Sequence, residues 1–127
     1  MGEVVRAFEG DLRRELAVKR IRPDRRARRD ADEREDYEAL LLRFVAEAQV
    51  CAQLNHPGII PVYEMGLDEL GHPYFSMPEV QGITLEDVFA RYREGATEWS
   101  LPRVVEVLLR IADTMAYAHS RHVVHRD

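Results

Sequence analysis

The chain has almost no cysteine: Cys51 is the single one in 127 residues. That excludes an internal disulfide, argues against a cysteine-based zinc site and fits a reducing cytoplasm. Long hydrophobic runs are missing as well. None approaches the ~20 residues that a membrane-spanning helix needs. The start, Met1-Gly2-Glu3-Val4-Val5-Arg6, has no long apolar stretch of the signal-peptide kind, and Arg6 stands where a myristoylation signal wants Ser or Thr. Charge of one sign is not in excess either. With 18 Lys and Arg against 23 Asp and Glu, the net charge is −5, which gives no electrostatic case for nucleic acid as a main partner.

What is present is globular in composition, 46% hydrophobic and 32% charged. Gly2–Phe8 and Leu16–Ile21 are β-like runs around a turn-type cluster, Glu9-Gly10-Asp11, so they predict an antiparallel hairpin. Arg20 to Asp36 then holds seven arginines and six acids, a near-balanced run that reads as a solvated loop or exposed helical turn. From Asp36 to Leu54 the apolar positions Leu41, Phe44, Val45, Ala48 and Cys51 recur at helical spacing. Asn55-His56-Pro57-Gly58 ends that helix. Ile59–Leu67 and Pro73–Met77 predict two short strands. Thr84 caps a helix reaching Tyr92, and Ser100 caps a last helix with Pro102 in its first turn. The wide apolar set of that last helix, Val104, Val105, Leu108, Ile111, Ala112, Met115 and Ala118, predicts a buried core position. The order of strands, helix, strands and helices makes an α+β fold.

Few residues stand out for chemistry. Lys19 ends an apolar strand, where a lysine is more often a snorkelling edge residue than a functional one. Glu47 shares the inward stripe of its helix with Phe44 and Cys51. A carboxylate there needs a cation or donors, and Lys19 is a natural partner; a half-solvated position at the stripe's margin is the plainer alternative. His56 before Pro57 reads as a structural helix-end residue. His119, His122 and His125 do not form a recognised helical zinc motif.

Taken together, Gly2-Glu3-Val4-Val5-Arg6-Ala7, Ala17-Val18-Lys19, Glu47, His56-Pro57-Gly58-Ile59-Ile60 and the closing His125-Arg126-Asp127 stand in the order and approximate spacing of a protein kinase. The chain resembles bacterial Ser/Thr kinases of the eukaryotic type along its whole length. The resemblance implies an antiparallel N-lobe sheet with one long helix in residues 1–80, hinge included, and the first helices of the C-lobe in 81–127. It implies ATP as phosphoryl donor and protein Ser or Thr hydroxyls as acceptors. Gly2 would approach the phosphates, and Val4 and Ala17 would pack on the two faces of the adenine. Lys19, held by Glu47, would bind the α- and β-phosphates. Met77 would back the adenine pocket, with Glu79 and Val80 meeting the base edge through their backbone. Asp127 would position the substrate hydroxyl and accept its proton.

Several parts of the family pattern are not in these 127 residues. The first glycines of the Gly-rich loop do not precede Gly2, and the catalytic-loop Asn and the Asp-Phe-Gly segment do not follow Asp127. The Mg²⁺ ligands are therefore expected beyond Asp127, with none among the residues present. Arg22–Glu35 looks like an insertion, since Lys19 and Glu47 lie 28 residues apart. The expectation is a piece of a longer kinase that transfers little phosphate alone. A non-catalytic, pseudokinase-like binding module and a small-molecule phosphotransferase of related fold are the rival readings. Tyrosine specificity would be decided by residues after Asp127.

Overall fold

A computed structural model describes residues 2–21 and 31–125, without the side chains of residues 31–34. Its elements run β1 (Gly2–Glu9), β2 (Arg14–Ile21), α1 (Ala31–Gln53), β3 (Glu64–Leu67), β4 (Pro73–Pro78), α2 (Leu85–Arg93) and α3 (Leu101–Ser120). They fall into two compact units. One holds the four strands and α1; the other holds residues 56–59 with α2 and α3.

In the first unit the strands form one antiparallel sheet in the order β1-β2-β4-β3. Strand pairing fixes which side chains share a face, because residues directly opposite one another point the same way. On one face Val4 lies opposite Lys19 and Lys19 opposite Phe75; one step along, Arg6 lies opposite Ala17 and Ala17 opposite Met77. This face carries the core. Ile21, Phe44, Ala48 and Phe75 are buried together, with Tyr37, Leu40, Leu41, Val62 and Met77 packed against them. Phe44 of α1 meets Phe75 of β4 at a ring-centroid distance of 5.0 Å. The helical spacing of Phe44 and Ala48 is what lets α1 lay one stripe on the sheet.

Three boundaries differ from the sequence expectation. The first hairpin turns on residues 10–13, with Arg13 in the left-handed region at φ 51°, so Glu9 pairs with Arg14 and both strands extend further than expected. Helix α1 starts at Ala31, inside the charged run, whose Glu and Arg residues are good helix formers despite having no apolar periodicity. Strand β3 is only Glu64–Leu67 rather than Ile59–Leu67. Pro61 has no N–H to give a ladder, and Ile59 packs with the second unit. The rest of the charged run, residues 22–30, lies outside the described residues.

In the second unit, α2 and α3 pack on each other and bury Val88, Val104 and Ala118. Thr84 caps α2 as expected. Its hydroxyl accepts from the Asp87 N–H at 3.1 Å, and Asp87 accepts in return from the Thr84 N–H at 3.1 Å. Ser100 occupies the cap position of α3 but makes no side-chain cap bond, leaving Pro102 as the start signal there. Residues 56–59 pack on α3. The His56 ring stacks on Tyr117 at 5.0 Å and lies 3.4 Å from Asp113, while a Cβ on Gly58 would fall 2.1 Å from Thr114 Oγ1. The expected burial of α3 is met only in part: Val104 and Ala118 are buried, but Val105, Leu108 and Ile111 are exposed.

Candidate functional site

Lys19 lies in the middle of the β1-β2-β4 sheet, on its helix-facing side. Its side chain passes Gly2, where an added Cβ would lie 3.4 Å from Lys19 Cε, and its ammonium sits 5.7 Å from the centroid of the Phe75 ring. The ammonium donates to Glu47 Oε1 across from α1. Pairing β2 with β4 and packing α1 on that face through Phe44 and Ala48 is what carries Glu47 to Lys19 across a separation of 28 positions.

Glu47 is not buried as the inward stripe implied. Its side chain is 48% exposed, and that of Lys19 is 26% exposed. The reason is angular: Phe44 and Ala48 take the centre of the stripe, and Glu47 falls on its edge. At such exposure an ion pair adds ~0–1 kcal/mol to stability, so its consequence is where the ammonium points rather than how firmly the fold holds.

Around this pair the sheet offers an apolar surface. Val4 is 56% exposed, with Ala17 and Met77 on the same face one register step away. Gly2, Val4, Ala17, Lys19, Met77 and Glu47 are thus brought together by one sheet face and one helix. Glu79 follows β4 directly and belongs to the same unit; Val80, 68% exposed, opens the next. Asp127 and Arg126 lie outside the described residues. Among the described residues no group of three or more His, Cys, Asp or Glu could hold a metal ion, and no helix is long and apolar enough to cross a membrane.

The sequence reading missed one ion pair near this site. Arg6 on β1 donates to Glu79 Oε1, bridging over β2. The two residues are 73 positions apart, and only the strand order brings them together. Cys51, one helical turn from Glu47, is half-buried; burial first, then the Glu47 charge, push its thiol pKa up, and Lys19 opposes them.

The protein kinase domain family matches residues 1–127. The serine/threonine-protein kinase PknD of Chlamydia caviae is 33% identical over the whole chain, and a probable serine/threonine-protein kinase of Streptomyces coelicolor is 36% identical. The chain spans only 13% of the first relative's length and 17% of the second's. Among solved structures, the apo form of PpkA superposes with a TM-score of 0.80 at 24% identity, over 99% of this chain and 47% of that one. The kinase domain of M. tuberculosis PknI gives 0.65 at 26% identity, over 100% of this chain and 46% of that one. The sheet with its single long helix, followed by α2 and α3, is therefore a protein-kinase-like arrangement, and the chain belongs to the protein kinase domain family.

Proposed function

We propose that the chain is the nucleotide-binding part of a cytoplasmic serine/threonine protein kinase, one that transfers a phosphoryl group from ATP to protein hydroxyls. The observation that carries this is the Lys19–Glu47 ion pair set on a sheet face that also presents Val4, Ala17 and Met77. Residues 1–80 serve as N-lobe and hinge and residues 81–127 as the opening of the C-lobe. Phosphoryl transfer asks the protein for positioning and charge neutralisation more than for covalent chemistry.

Each residue has a role in that reading. Lys19 sets a positive charge against phosphate oxygens, and Glu47 fixes where that charge sits. Gly2, lacking a side chain beside the Lys19 stem, leaves backbone open to phosphate. Val4 and Ala17 offer apolar contact to the faces of the base, Met77 closes its back, and the backbone of Glu79 and Val80 meets its edge. Asp127 receives the proton of the attacking hydroxyl. Mg²⁺, when bound in a kinase, neutralises charge on the phosphates. The donor set among the described residues does not fit that ion.

The test is ATP binding and transfer by the 127-residue chain. The expected outcome is weak ATP binding that falls by roughly tenfold or more in Lys19→Ala, in line with losing a hydrogen bond to a charged group. Transfer of radiolabelled phosphate should be negligible. Binding indifferent to Lys19→Ala, or clear turnover abolished by it, would overturn respectively the site and the inactivity of the 127-residue chain.

A further inference from the structure

Lys19 is the single lysine of the chain, and its ammonium has two neighbours of different kinds. One is the Glu47 carboxylate, to which it donates; the other is the ring of Phe75, over which it lies 5.7 Å from the centroid. The second contact follows from strand register. Lys19 stands directly opposite Phe75, so both point to the helix-facing side of the sheet. Phe75 is only 3% exposed, and its ring is tilted by 39° against that of Phe44. Phe44 lies one turn before Glu47 on α1, so one helix supplies both the carboxylate and the ring that seats Phe75.

The two neighbours act differently on the amine. Glu47 takes one of its three donors and offsets its charge. A second carboxylate in the place of Phe75 would make the surroundings net negative and repel phosphate. An aromatic face attracts the cation through its quadrupole and carries no net charge. It therefore narrows the swing of the ammonium and leaves the positive charge for a phosphate. An aliphatic side chain of similar size would fill the core and exert no such pull. The Lys19 side chain is 26% exposed, so its charge is partly withdrawn from water, where that pull is strongest.

We propose that Phe75 is a positioning residue for phosphate binding: its ring face, seated by Phe44, aims the Lys19 ammonium from inside the core. This rests on the nucleotide-binding reading above. Phe75 touches no ligand in this account and acts through Lys19 alone. The seating of α1 then sets both restraints on the amine, Glu47 directly and Phe75 by way of Phe44.

The experiment is an amide-shift NMR titration of the 127-residue chain, which tolerates weak affinity, with ATP and with adenosine. Phenylalanine carrying one, two or three ring fluorines is placed at position 75 alone, which keeps the shape of the ring while draining its π face. Phe75→Leu and Lys19→Ala complete the set, after circular dichroism has shown which proteins remain folded. ATP affinity should fall in step with fluorination, reaching roughly two- to fivefold at three fluorines, while adenosine affinity stays as in the wild type. In the Lys19→Ala background the same fluorinations should leave ATP affinity alone. Phe75→Leu should match the trifluorinated ring; if it does not fold, the fluorinated series decides. Three results overturn this inference and leave the nucleotide site standing: equal losses for ATP and adenosine, losses that persist without Lys19, or no loss while Lys19→Ala still weakens ATP. No binding of ATP by the wild type overturns both.

Discussion

At the scale of single residues, the Lys19–Glu47 pair has a built-in reporter in Cys51. Burial and the Glu47 charge raise the thiol pKa from an ordinary value of 9.0, and Lys19 counters them. The thiolate is the reactive form, so alkylation should speed up by a few-fold in Glu47→Gln and slow by a few-fold in Lys19→Ala. Iodoacetamide rates near pH 8 on the folded chain would measure it; equal rates in all three proteins would contradict the pairing. The residues of this site differ in how plainly the sequence announced them. Lys19 and Glu47 were legible because one follows the apolar run Leu16-Ala17-Val18 and the other sits at helical spacing from Phe44. How exposed Glu47 is was not, since one step of 100° separates the centre of a stripe from its edge. Arg6 and Glu79 gave no local signal at all, because their pairing exists only once β2 lies between β1 and β4.

Among the elements, α2 shows local chemistry deciding a boundary. Thr84 and Asp87 hydrogen-bond each other's backbone N–H groups; the sequence marked Thr84 as the cap, and the return bond to Asp87 is seen only in the folded chain. The Thr84 hydroxyl first, then its N–H, hold the Asp87 carboxyl below its ordinary 3.8. A folded value below the unfolded one means the contribution to α2 is complete above the ordinary value and is lost as pH falls through the folded one. A carboxyl NMR titration should find Asp87 below 3.8 in the wild type and higher in Thr84→Ala, which keeps the backbone N–H but loses the hydroxyl and should also cost about 1 kcal/mol as a lost cap. A midpoint unmoved by Thr84→Ala would refute the capping account. Strand β3 was less legible. Ile59-Ile60 looked like strand by composition, but Pro61 denies the ladder a donor, and the first bond to β4 is made by the Tyr63 N–H to the Ser76 carbonyl at 2.8 Å.

For the whole molecule, α3 matters most. Its apolar set predicted a core helix, yet Val105, Leu108, Leu109 and Ile111 stay exposed in the described residues. Apolar surface of that extent drives association. The 127-residue chain should self-associate at tens of micromolar concentration (an order-of-magnitude expectation from exposed-patch behaviour), and Leu108→Lys with Leu109→Lys should shift it toward monomer. Sedimentation or light scattering would read this; a wild type that stays monomeric throughout would disprove it. Periodicity revealed that the helix has a wide apolar face, but not what covers it, because that depends on partners no single helix encodes.

The placement of residues 56–59 has a consequence of another kind. They belong with α3, although the chain before and after them belongs with the sheet. The polypeptide therefore crosses between the units three times, at 55/56, 59/60 and 79/80, so neither unit is an uninterrupted stretch of sequence. A single scission after Glu79 would not free the second unit, for the His56 ring would still rest on Tyr117 and Gly58 against Thr114. Three stretches of backbone connect the units, and cutting one leaves two.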